Sequence, residues 1–176
     1  EEGPPHNLIL EEGWDETLIQ LYSFSKAYSL TGYRVGAIAA SERVIGTIAK
    51  LMDTLQICTP RISQDAALYG LEHCSAWVAE KRAMLRERES ALKAIFRGGT
   101  LAYSLVSAGG YFAYVRHPFE HLSAKEVARN LAAEQNLLCL PGSFFGAGQE
   151  RFLRFAFANA TVAEIHQVAG RLAEGA

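Results

Sequence analysis

Paired cysteines, a surplus of charge and long apolar runs are all missing from this sequence, and each absence removes a class of protein. Cys58, Cys74 and Cys139 are odd in number, far apart and never in a C-x-x-C pair. They support neither a zinc ribbon nor a disulfide framework, and buried thiols in a reducing, cytoplasmic compartment are the favoured reading. Seventeen basic residues stand against 19 acidic ones, a formal net charge of -2. A general nucleic-acid binder needs clustered Lys/Arg, so no nucleic-acid partner is expected. The densest basic stretch, EKRAMLRERES, alternates with glutamates and reads as a solvated helix face. No apolar run approaches membrane-spanning length, so no membrane partner is expected either. The opening EEGPPHNLIL shows no signal-peptide pattern and no initiator methionine. His6, His73, His117, His121 and His166 lack metal-ligand spacing; surface or capping roles are expected for most, and no metal. Adjacent Glu11 and Glu12 read as solvated loop rather than paired acids, and GYRVG and AGGY do not make a dinucleotide-binding G-x-G-x-x-G.

What is there is globular: 49% hydrophobic and 20% charged residues over 176 positions, enough for one ordinary domain or two small lobes. Glu1 to Glu16 reads as a loop or broken segment. TLIQLYSFS predicts a buried strand, and RVGAIAA a second short one. Ser41 suits the N-cap of a helix carrying Val44, Ile45, Ile48 and Leu51 on one face, and Thr59-Pro60 suggests a cap followed by proline at the first helical position. From Arg61 to Arg97 the pattern stays helical, with a break near His73 to Ser75. Trp77, Met84 and Ala91 repeat every seven residues, as do Leu85 and Leu92. Gly98-Gly99 supplies the stop. The second helix would run about 35 Å at 1.5 Å per residue, long enough to bridge two lobes. Beyond it YFAYVR, LLCLPG and RFLRFAFA read as strands. SAKEVARNLAAE and TVAEIHQVAGRLAE read as helices with capping boxes, Ser123 to Glu126 and Thr161 to Glu164.

The stretch SFSKAYSLTGYRVG, Ser23 to Gly36, places a lysine between small hydroxyls at the end of an apolar run, with an arginine eight residues on. Ligands of open α/β sheets gather at the carboxyl edge of the strands. Ser23 and Ser25 offer hydroxyl donors and Arg34 a guanidinium fork, a set suited to a phosphate dianion. Gly32 and Gly36 are expected to let the backbone bend around the arginine. Lys26 beside such a site is an amine able to form a Schiff base with a carbonyl. Taken alone, the same residues also fit a solvent-facing lysine and a surface salt bridge.

RFLRFAFAN is the second informative stretch. As a strand it puts Leu153, Phe155 and Phe157 on one face and Phe152, Arg154 and Ala156 on the other. Arg154 then points away from the core beside a small residue, either a surface arginine or a fork for a carboxylate.

S-F-S-K, a hydrophobe four after the lysine, then Gly at six, Arg at eight and Gly at ten resembles the lysine signature of class I and II pyridoxal-phosphate aminotransferases. AGGYFAYV and LLCLPGSFFG resemble that family's glycine-bearing small-domain strand and its P-G-S-x-F-G turn. The resemblance implies an α/β fold, the C-terminal part of a fold type I transferase. Residues 1–74 would be the end of the large-domain sheet, 75–97 the interdomain helix and 98–176 the small domain. It implies pyridoxal 5′-phosphate on Lys26 as a Schiff base, with Ser23 and Arg34 holding its phosphate and Ser25 assisting. Arg154 would take the substrate carboxylate, while Arg151 falls three residues early and does not fit. Tyr28 and Tyr33 would pack around the lysine. Phe144 or Phe145 would either close one side of the substrate pocket or pack as core or lid.

The implied reaction is amino-group transfer from an amino acid to a 2-oxo acid in a homodimer. A fold type I lyase or synthase, or a non-catalytic aminotransferase-like regulatory domain, shares the same signature. In the family an aspartate pairs with the pyridine nitrogen well before the lysine, and Asp15 lies too close to Lys26 for that role. The ring-stacking aromatic, the asparagine-tyrosine pair and the glycine-rich phosphate turn are likewise expected further upstream. The sequence therefore looks like the C-terminal half of such an enzyme, whose N-terminal half would be a partner in any activity.

Overall fold

The computed structural model of the protein describes residues 6–174. By backbone contacts the chain divides into two compact units, Glu1–Ala79 and Glu80–Ala176.

The first unit opens with a 3-10 turn at Leu8–Leu10 and a single helical turn, α1 (Trp14–Thr17). Strand β1 (Gln20–Ser23) runs into another single turn, α2 (Phe24–Ala27), and after a 3-10 turn at Thr31–Tyr33 the chain returns as β2 (Gly36–Ala39). The two strands pair antiparallel, Gln20 opposite Ala39 and Ser23 opposite Gly36. Helices α3 (Glu42–Leu55) and α4 (Arg61–His73) follow, with Ser41 capping α3 by accepting from the Val44 N–H. A small core of Phe24, Val35 and Ala67 is flanked by Tyr28 and Leu30.

Three expectations are corrected here. The apolar run before Lys26 is a four-residue strand with Leu21 and Tyr22 exposed, not a long buried one. It has one strand partner, and a two-stranded ribbon shields little of either face. Pro60 is itself the N-cap of α4, its ψ of 138° still extended, so the helix begins one residue later than the proline pattern suggests. Of the three thiols only Cys139 is buried; Cys74 caps α4 half-buried, and Cys58 lies exposed in the α3–α4 connection.

Helix α5 (Ser75–Arg97) contains the boundary between the units and stops two residues before Gly99, whose φ of 63° is left-handed. The second unit is built on β3 (Ser104–Gly109), β4 (Phe112–Arg116), β5 (Leu140–Pro141) and β6 (Phe152–Ala156), with α6 (Ala124–Gln135) and α7 (Val162–Glu174). The sheet order is β3-β4-β6-β5, every neighbouring pair antiparallel. Alternation along β6 buries Leu153 and Phe155, and Phe157 just beyond the strand, as its pattern requires. These side chains pack with Ala113 and Val115 of β4, Val127 and Leu131 of α6, Ile165 and Leu172 of α7, and Leu92 of α5. Both capping boxes form: Ser123 and Glu126 bond reciprocally, and so do Thr161 and Glu164. The LLCLPG strand shrinks to two residues because the chain turns at once into a 3-10 segment, Gly142–Phe145.

His117 departs from the surface role expected of most histidines. It is fully buried, and its Nε2 lies 2.8 Å from the Glu150 carbonyl, so that nitrogen must carry the proton it donates. Arg151 donates to the His117 and Pro118 carbonyls and lies 3.8 Å from Glu120.

Candidate active site

Ser23 ends β1 with extended backbone and caps α2, its Oγ accepting from the Ser25 N–H at 3.4 Å. Lys26 is the third residue of that turn and is exposed. The turn cannot continue, because Ser29 adopts a left-handed φ of 55°. The 3-10 segment then leads to Arg34, also left-handed at φ 51°, and Val35 accepts a hydrogen bond from the Phe24 N–H. A left-handed non-glycine residue costs about 1 kcal/mol or more, which the surrounding packing must offset. The eight-residue interval between lysine and arginine therefore holds the end of α2, a reversal at Ser29 and the 3-10 turn, and two residues later Gly36 pairs with Ser23 as β2 begins.

The glycines divide differently from expectation. Gly32 has open space around its α-carbon and no left-handed φ, so it is not needed for the bend. Gly36 is needed, since a Cβ there would stand 2.8 Å from the Tyr22 carbonyl across the strand pair.

Arg34 donates Nη1 to the Thr31 carbonyl at 3.0 Å, which ties the guanidinium to its own turn. Helix α4 secures that turn from outside: Ser63, only 3% exposed, donates its hydroxyl to the Tyr33 carbonyl at 2.7 Å. The Tyr28 ring lies flush on Gly70 of α4, with 2.9 Å between its Cδ1 and the position a Cβ would take. Tyr28 also packs on Phe24, and Phe24 on Tyr22. Burial, then the nearby Tyr28 hydroxyl, pushes the Tyr22 phenol above its usual range. Ser63 and Gly70 were not singled out from sequence. Both lie in an ordinary amphipathic helix, where nothing marks a residue as the support of a distant turn.

Arg154 belongs to the second unit. It projects from the face of β6 opposite the core, paired across the sheet with Tyr114 on one side and Leu140 on the other. The space beside Ala156 is partly taken by aromatic side chains. The Arg154 guanidinium carbon lies 4.2 Å from the centroid of Phe112 and 4.2 Å from that of Phe145. On the same face Tyr114 stacks on Phe152 at 5.2 Å and bonds the Gln149 side chain. The turn that delivers Phe145 depends on Gly142, where a Cβ would meet the Gln149 carbonyl at 2.5 Å and the Phe152 carbonyl at 2.7 Å.

Comparison with known proteins identifies the family. The family model for aminotransferase class I and II matches residues 3–172. Aromatic aminotransferase ISS1 of Arabidopsis thaliana is 30% identical over 169 residues, covering 90% of this chain and 40% of the plant protein. The structure of an aminotransferase from Staphylococcus aureus superposes with a TM-score of 0.81 at 26% identity, covering 93% of this chain and 43% of that one. LysN, an alpha-aminoadipate aminotransferase from Thermus thermophilus solved with N-(5′-phosphopyridoxyl)-L-leucine, gives 0.75 at 26% identity, covering 89% and 41%. The chain belongs to the class I and II aminotransferases, a family whose cofactor is pyridoxal 5′-phosphate, and its mixed α/β structure is part of their fold type I. It spans about 40% of the length of the curated relatives it matches.

Proposed function

We propose that the chain is part of a pyridoxal-phosphate-dependent aminotransferase of the 2.6.1 type, moving an amino group from an amino acid to a 2-oxo acid. The observation that carries the proposal is the hairpin that holds Ser23, Ser25 and Lys26 where β1 runs into α2, and Arg34 just before the return strand. Two hydroxyls and a guanidinium suit phosphate oxygens, and an amine suits an aldehyde, so this donor set fits the cofactor. When bound, pyridoxal phosphate supplies that aldehyde and an electron sink. Ser23 and Arg34 hold the phosphate, with Ser25 assisting. Lys26 is the attachment point, and its released amine takes the proton from the substrate Cα. Arg154 donates its fork of N–H groups to the substrate carboxylate and so aims the Cα–H bond. Residues 1–74 close the large domain, 75–97 form the interdomain helix and 98–176 the small domain. A cytoplasmic homodimer acting in amino acid metabolism completes the proposal. Because the chain spans about 40% of the length of its curated relatives, the 176 residues alone are expected to turn over little amino acid.

Borohydride reduction of the complete enzyme after incubation with pyridoxal phosphate tests the attachment: the peptide containing Lys26 should gain the phosphopyridoxyl mass, and an unlabelled peptide would overturn the assignment. Product analysis in the complete enzyme then tests the reaction. Transfer leaves pyridoxamine phosphate, whereas elimination by a lyase would release ammonia.

A further inference from the structure

We infer that Phe112 and Phe145 are positioning residues that hold Arg154 for carboxylate binding, an inference that rests on the substrate role proposed above for Arg154. The two rings reach the guanidinium from different parts of the sheet. Phe112 begins β4, diagonal to Arg154 across the β4–β6 pairing, while Phe145 ends the turn that follows β5, the strand on the other side of β6. Each centroid lies 4.2 Å from the guanidinium carbon, well inside the roughly 6 Å within which a cation is attracted to a ring face. No carboxylate pairs with Arg154 among the described residues. Its electrostatic partners are thus aromatic surfaces, which restrain the group without occupying its N–H donors.

That distinction has a chemical consequence. A guanidinium binds a carboxylate through parallel N–H bonds in its own plane, and an arginine left to rotate about its long side chain loses entropy when it does so. Ring contacts set the orientation before the ligand arrives and leave the donors available. A protein carboxylate in the same place would compete with the substrate instead. The rings themselves are partly exposed, Phe112 at 37% and Phe145 at 47%, so their service to the core is small. They act first on affinity for the carboxylate, through Arg154, and reach the proton transfer only through that contact.

The test is made in the full-length holoenzyme with Phe112→Leu, Phe145→Leu and the double variant, alongside Phe145→Tyr and Arg154→Gln. Amino-acid kinetics are measured together with equilibrium binding of butyrate, a carboxylate without an amino group, followed by ligand NMR. The double variant should raise KM and the butyrate Kd by about tenfold, the scale of two such contacts, while kcat changes far less. Phe145→Tyr, which keeps a ring face, should stay near wild type. Overturning the inference requires only that the leucine variants remain within about twofold of wild type while Arg154→Gln loses butyrate. If Arg154→Gln itself leaves KM and butyrate binding unaltered, the carboxylate role of Arg154 falls, and this inference with it.

Discussion

Ser63 and Tyr33, thirty positions apart, are joined by a 2.7 Å hydrogen bond from a buried hydroxyl to a backbone carbonyl. The bond fixes the 3-10 turn directly before Arg34, so α4 sets where the proposed phosphate-binding group stands. Ser63→Ala would leave the Tyr33 carbonyl without that partner, at a cost of about 1–3 kcal/mol. The expected result is a lower urea midpoint together with weaker pyridoxal phosphate binding. A loss of stability with cofactor affinity intact would separate α4 from the phosphate site.

Gly142 is defined by close approach rather than by backbone angle. A Cβ there would press on two carbonyls and on the Tyr114 hydroxyl, the last at 2.7 Å. One carbonyl belongs to β6 and the other accepts from the Phe152 N–H in the turn before it, so neither can retreat cheaply, and Gly142→Ala should destabilise by about 1–3 kcal/mol. Gly170→Ala is the control. It lies inside α7 with nothing within 4 Å of its Cβ position, and alanine there should stabilise by about 0.5–1 kcal/mol. Chemical denaturation of both variants reads the contrast directly.

Much of this was legible in the sequence where local chemistry governs. The alternation of RFLRFAFAN, both capping boxes and the break between α4 and α5 depend on neighbours a few residues away, and each is present. Family membership was legible in the spacing from Ser23 to Gly36. Strand β3 was missed because a register shift between Leu105 and Ser107 interrupts its alternation. The burial of His117, the support from Ser63 and the rings around Arg154 were missed for a different reason. Each depends on residues brought together from distant parts of the chain, and no local pattern encodes the pairing.

Arg34 combines an unfavourable backbone conformation with a proposed ligand contact, so one substitution should move stability and affinity differently. Arg34→Gly removes the left-handed penalty but adds unfolded-state entropy, leaving stability within about 1 kcal/mol of wild type. It also removes a charge-assisted donor to phosphate, worth about 1.5–3 kcal/mol, so cofactor affinity should fall by about tenfold or more. Arg34→Lys keeps the charge, loses the fork and should fall between the two. Titration of pyridoxal phosphate by absorbance, with denaturation curves on the same samples, checks both halves. Unchanged affinity in Arg34→Gly would remove Arg34 from the site.

His117 should make the second unit acid-sensitive. Burial, foremost, drives its imidazole below the ordinary value of 6.5, Arg151 acts in the same direction, and the Glu150 carbonyl and carboxylate oppose them. Nε2 already donates to the Glu150 carbonyl, so protonation would place a second N–H on Nδ1, which has no hydrogen-bond partner among the described residues. Because the folded pKa lies below the unfolded one, the unfolded chain binds this proton more readily. The neutral form's contribution is therefore complete above pH 6.5 and is lost as the pH falls through the depressed folded value. One proton gives a slope of at most about 1.4 kcal/mol per pH unit. His117→Gln retains a donor for Glu150 but does not titrate, so its urea midpoint should fall less between about pH 7 and pH 5 than that of the native chain. Parallel curves for the two proteins would place the acid sensitivity elsewhere.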